Sequence, residues 1–121
     1  MRFTIPFAGK PKARPRVKAG EHTYMPPDYM EWKDRVAQFV GLTGLRKRAM
    51  TGDVRVVMVF GPDSIEVEIL PSMTERPKGV RGDLDNLAGG LLDALQDAGL
   101  LPNDRHVVDL EASFPQQKEP A

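Results

Sequence analysis

Asp83-Leu84-Asp85-Asn86-Leu87, followed by Asn103-Asp104 and Val107-Val108-Asp109, holds the residues best suited to chemistry. Asp83 and Asp85 stand at i and i+2, a spacing that turns both carboxylates to one side of an extended segment. Leucines at helical spacing follow at once, so the pair lies where a loop or strand enters a helix. Two close carboxylates repel each other unless a proton or a cation lies between them. Oxygen ligands of this kind suit a hard ion such as magnesium or manganese. Helix capping is the competing explanation, since an Asp before a helix needs no catalytic role. Capping covers one Asp but not both, nor Asp104 beyond the helix, and the three together favour a metal site. For Asp104 to reach the pair, the chain after Gly99 must run back beside the helix.

Other chemistries of a D-x-D pair fit less well. An EF-hand loop needs a third oxygen side chain and then Gly, where Leu87 and Ala88 stand. A nucleotide-sugar transferase needs a larger dinucleotide-type domain than 121 residues supply. No glycine loop precedes a Lys-Ser or Lys-Thr pair, which argues against nucleotide triphosphate hydrolysis.

The second constellation is basic. Lys10, Lys12, Arg14, Arg16 and Lys18 alternate with Pro11, Pro15 and small residues. Proline keeps such a segment extended and spreads its charges along a track that can follow a phosphate backbone. Tyr24 and Trp32 could stack on bases beside it. Trp32 lies on an apolar helical stripe, however, which points to the core instead. The net charge of zero hides this segregation: residues 1–48 carry 11 Lys and Arg against 4 Asp and Glu, whereas residues 83–121 carry 2 against 8. A basic front can grip a polyanion while an acidic back holds cations. A plainly solvated surface is the alternative.

These residues need elements to position them. Phe3, Ile5 and Phe7 alternate with polar neighbours as a short strand, and Pro6 puts that strand at an edge or ends it. Gly9 to Gly20 reads as a loop. Asp28 as N-cap, with Glu31 three residues on, predicts a helix from about Asp28 towards Gly41. A basic tail, Arg46-Lys47-Arg48, leads to a turn at Thr51-Gly52. Val54, Val56, Met58 and Phe60, then Ile65, Val67 and Ile69, predict an antiparallel hairpin around Gly61-Pro62-Asp63-Ser64. After a polar loop with Arg76, Lys78 and Arg81, a second helix starts near Asp85 with Leu87, Leu91, Leu95 and Ala98 on its buried stripe. Gly99 fits its C′ position and Pro102 stops it. A last strand over Val107 to Phe114 is expected, with a frayed tail over 115–121.

The order is β-α-β-β-α-β: an α+β single domain over residues 1–121, its helices packed on one face of a mixed four-stranded sheet. The absence of Cys excludes a disulfide framework and thiolate chemistry. No apolar run approaches the roughly 20 residues of a membrane span. The apolar part of the N-terminus is too short for a signal peptide, so the cytoplasm is the expected location.

The stretch from Arg81-Gly-Asp-Leu-Asp-Asn-Leu through Asp93-Ala-Leu, Ala98-Gly, Asn103-Asp104 and Val107-Val108-Asp109 resembles the RusA family of Holliday-junction resolvases. Gly9-Lys-Pro-Lys-Ala-Arg-Pro-Arg and Thr23-Tyr24 are similar to that family's opening, so the resemblance covers nearly the whole chain. It implies a small α+β homodimer, with phage or prophage origin common. It further implies that Asp83, Asp85 and Asp104 are catalytic, magnesium-binding carboxylates, with manganese as a substitute. Asp109 matches a recurring acidic position of unassigned role. One departure stands out: some members carry a catalytic Lys where this chain has Gly89. Lys78, Arg81 or Arg105 could supply the missing cation, and close helix packing would account for Gly89-Gly90.

The expected function is therefore a magnesium-dependent endodeoxyribonuclease that resolves four-way DNA junctions by paired symmetric nicks. Lys10, Lys12, Arg14, Arg16, Lys78 and Arg81 are the expected DNA contacts. Two alternatives stay open: a catalytically weak or inactive junction-binding protein, and a structural domain in which the aspartates only cap a helix.

Overall fold

The computed structural model describes residues 1–17 and 23–115. Lys18 of the basic stretch and nearly all of the expected frayed tail lie outside them. The chain forms two compact units, Met1–Pro71 and Ser72–Ala121.

The first unit is built on the hairpin that its alternating apolar residues demand. β4 (Val54–Phe60) and β5 (Ile65–Pro71) pair antiparallel from Val54 opposite Pro71 to Phe60 opposite Ile65. The Gly61 N–H donates to the Ser64 carbonyl at 2.8 Å and closes the turn. β1 (Arg2–Ile5) lies antiparallel on the other side of β5, with Ile5 opposite Ile65. Those two isoleucines are the buried apolar core among the described residues, 7% and 3% exposed. Arg2 faces Glu68 in the same register and donates to its carboxylate at 2.6 and 2.9 Å.

The sheet order is β1-β5-β4, all antiparallel. The expected mixed four-stranded sheet is not formed, because residues 107–115 make no strand among the described residues. Alternation alone does not make a strand. The backbone must also find a ladder partner, and the 107–114 run has none here.

The basic stretch is not wholly a loop either. β2 (Arg16–Val17) pairs antiparallel with β3 (Thr23–Tyr24), which makes its far end a short ribbon. α1 (Pro27–Leu42) follows. Its start is set by Pro27, whose missing N–H costs nothing in the first turn. Asp28 is inside that turn and not its cap: the N-cap is Pro26, and no side chain caps the helix. At the other end Thr43 turns its N–H and hydroxyl back onto the Phe39 carbonyl. Gly44 then adopts φ 72, which a side chain would resist, and a 3-10 turn runs over Leu45–Arg48. None of α1 is fully buried.

In the second unit, α2 (Leu84–Asp97) ends as its sequence requires. Gly99 takes φ 83, its N–H donates to the Gln96 carbonyl, and the Leu100 N–H donates to that of Leu95. These two bonds satisfy carbonyls that the helix end leaves orphaned. A 3-10 turn, Asp104–His106, comes next. The extended segment beyond it then borders the apolar side of α2. Leu84, Leu87 and Leu91 face Leu110 and Phe114 across an open groove of about 660 Å³. Among the described residues no helix is long and apolar enough to cross a membrane.

Candidate functional site

The acidic site grows from the start of α2. Asp83 is its N-cap residue in extended conformation, φ -79 and ψ 153, and its carbonyl accepts the first helical hydrogen bond from the Leu87 N–H at 3.0 Å. The Asp83 carboxylate, however, makes no capping bond. It accepts instead from Arg76 Nη2 at 3.5 Å. Arg76 also donates through Nη1 to the Gly82 carbonyl, and its guanidinium lies 5.1 Å from the centre of the Phe114 ring. Gly82 has φ 95, a conformation that a side chain would resist. Asp85 follows in the first turn, and both carboxylates are exposed.

Asp104 is held elsewhere. Its backbone N–H donates to Gln96 Oε1 at 3.3 Å, which ties the 3-10 turn to the last turn of α2. Asn103 caps that turn by accepting from the Arg105 N–H at 2.9 Å. The rise from Asp83 to Gln96 along the helix axis is roughly 20 Å. The chain therefore places Asp83 and Asp85 at one end of α2 and the Asp104 turn at the other. Among the described residues no three His, Asp or Glu side chains cluster closely enough to hold one ion. Magnesium is commonly held by one or two carboxylates, with water and substrate phosphate completing its shell. Asp83 and Asp85, two exposed carboxylates at the start of α2, are donors of the type that such an ion takes.

The remaining cations divide by environment. Lys78 and Arg81 are exposed. Arg105 belongs to the Asp104 end. Among the described residues, nothing lies within 4 Å of where a Cβ on Gly89 or Gly90 would stand, so close packing among them does not explain these glycines. Arg76 is the residue that sequence reasoning passed over. It sits in the same loop as Lys78 and Arg81, but its return onto Gly82 and Asp83 needs the turn geometry that sequence spacing does not reveal.

In the first unit the basic arm is anchored at its root. Gly9 passes so close to the Phe60 ring that a Cβ there would lie 2.8 Å from Cδ1. The Trp32 indole N–H donates to the Ala8 carbonyl at 3.0 Å. Trp32 is half-buried rather than core, and its ring stacks on Tyr29 at 6.2 Å and 17°. Arg35 lies over the Phe7 ring at 4.2 Å. Lys10 is committed to Asp28 at 2.9 Å, and that hydrogen bond holds the Asp28 carboxyl below the usual carboxylate range. Arg14 further along is exposed. Arg16 pairs through its backbone with Tyr24, and Lys12 lies on the exposed stretch between.

No curated protein and no solved structure matches the chain at a significant level. The sequence model of the endodeoxyribonuclease RusA family matches residues 6–121, which takes in the arm, its anchors, the start of α2 and the Asp104 turn. The chain belongs to the endodeoxyribonuclease RusA family, nucleases that act on branched DNA.

Proposed function

We propose that this protein is a magnesium-dependent endodeoxyribonuclease that resolves four-way junctions by paired symmetric nicks. The observation that carries the reading is Asp83. It occupies the N-cap position yet does not cap, so the ordinary explanation for an Asp there does not account for it. Its carboxylate is exposed beside that of Asp85, open to an ion and to a phosphate.

Asp83 and Asp85 would hold the magnesium, with manganese as a substitute. Such an ion activates water and stabilises charge that builds on the phosphate during hydrolysis. Asp104, at the far end of α2, cannot join them within a protomer. In a two-fold dimer that set the Asp104 turn of one subunit against the pair of the other, the symmetry would build two equivalent sites. Two equivalent sites are what two symmetric cuts require. Arg14, Lys12 and Arg16 position the DNA through its phosphates, with Lys78 and Arg81 beside the acidic end.

The test is cleavage of a synthetic four-way junction with and without magnesium. Asp83→Asn, Asp85→Asn and Asp104→Asn should each slow it by at least about 100-fold while junction affinity persists or rises. Wild-type rates in all three variants would remove the metal-site assignment. Junction binding without any cleavage would make the chain a junction-binding protein.

A further inference from the structure

We infer that Arg76 is a cation of the acidic site: it neutralises Asp83 while no metal is bound and, held in place, offers its freed N–H donors to the scissile phosphate when DNA and metal arrive. The inference rests on the nuclease reading above and adds to it a residue with a stated role. The Arg76 side chain is built onto the start of α2. Three groups define its place: the Gly82 carbonyl, the Asp83 carboxylate and the face of Phe114.

The strengths of these contacts differ, and that difference gives the mechanism. The bond to Gly82 and the Phe114 face hold the guanidinium in position. The contact with Asp83 is long, 3.5 Å, and its carboxylate is 77% exposed. A solvated pair of this kind is weak. A divalent ion on Asp83 outcompetes it without unseating Arg76 from Gly82 and Phe114. The guanidinium has five N–H donors in a rigid fork, and two contacts leave others for the phosphate oxygens. In the hydrolysis a water oxygen bonds to phosphorus and gives up a proton to solvent, while the leaving oxygen departs with the electron pair of the broken P–O bond and takes up a proton from solvent. Arg76 keeps its own proton throughout and acts by donating hydrogen bonds to the non-bridging oxygens as their charge grows.

The test compares full-length wild type with Arg76→Ala and Arg76→Lys. Two readouts are used: single-turnover cleavage of a four-way junction at saturating protein, and manganese binding without DNA, followed by electron paramagnetic resonance. Arg76→Ala should cleave at least about 100-fold more slowly with junction affinity little changed. The same variant should bind manganese about threefold or more tightly, because the competing charge beside Asp83 is gone. Arg76→Lys should fall between, keeping the charge but losing the fork. A residue that only braced the loop would lower the melting temperature and loosen manganese binding, which would overturn the inference. So would an unchanged cleavage rate. If wild type cleaves no junction, the nuclease reading fails. Tighter manganese binding by Arg76→Ala would then still uphold Arg76 as the cation of Asp83, and unchanged binding would overturn that too.

Discussion

The root of the basic arm and the start of α2 are assembled on opposite principles. The arm root is finished within its own unit: Gly9 lies on Phe60, Trp32 holds the Ala8 carbonyl, and Lys10 is paired with Asp28. The start of α2 is unfinished. It presents two exposed carboxylates, that of Asp83 with a weak partner in Arg76, and a third Asp in the turn tied to the opposite end of the helix. A surface that only has to hold a phosphate backbone can be built from one chain's packing. A site that must gather like charges stays open until something of opposite charge, or a second subunit, completes it.

The largest effect should come from mixing two dead variants. Asp85→Asn and Asp104→Asn are each expected to be inactive. In a mixed dimer of the proposed kind, the Asp104→Asn subunit would keep its own Asp83 and Asp85 and receive Asp104 from its partner. One intact site per dimer should therefore appear, giving single nicks where the proposed wild-type dimer would make paired cuts. Denaturing gels of a labelled junction read this directly. No recovery on mixing, with mixed dimers verified, would show that Asp104 is not shared across subunits and would break the contrast with the self-contained arm.

A smaller effect separates the cations of the arm. Arg14→Gln should lower the slope of log affinity against log salt by about one, the signature of a lost phosphate contact. Lys10→Gln should lower it less, because Lys10 is engaged with Asp28. Asp28→Asn should release Lys10 and steepen the slope. The same pair has a pH dependence of known sign. The folded carboxyl lies below its unfolded range, so its contribution is present above the ordinary Asp value and is lost as pH falls through the lowered one. Carboxyl titration by NMR in wild type and Lys10→Gln checks this; equal Asp28 midpoints would show that Lys10 does not hold it.

The smallest effects concern two glycines, one in each region. Gly9→Ala should destabilise by about 1 kcal/mol, since its Cβ meets Phe60, a side chain exposed enough to yield. Gly90→Ala should stabilise by about 0.5–1 kcal/mol, since the new methyl meets nothing and the helix gains propensity. Urea denaturation measures both. Opposite signs would sustain the picture of a packed arm root and an open helix; matching signs would not.

Local rules settled much of this protein before any contact was known. Alternation made the 54–71 hairpin, the Leu spacing made α2, and Gly99 stopped it, because each depends on neighbours within a few residues. The motif at Asp83, Asp85 and Asp104 pointed to the family for the same reason: it is a local pattern of residue types. Long-range competition decided the rest. Whether the 107–114 alternation becomes a strand depends on a free edge elsewhere. Whether Lys10 meets DNA or Asp28 depends on where α1 begins. Arg76 becomes a site residue only because Gly82, at φ 95, lies where its guanidinium can reach both that carbonyl and Asp83. Residue types and spacing carry the chemistry that is possible, but the pairing of charges across a turn depends on backbone geometry, which only the folded chain supplies.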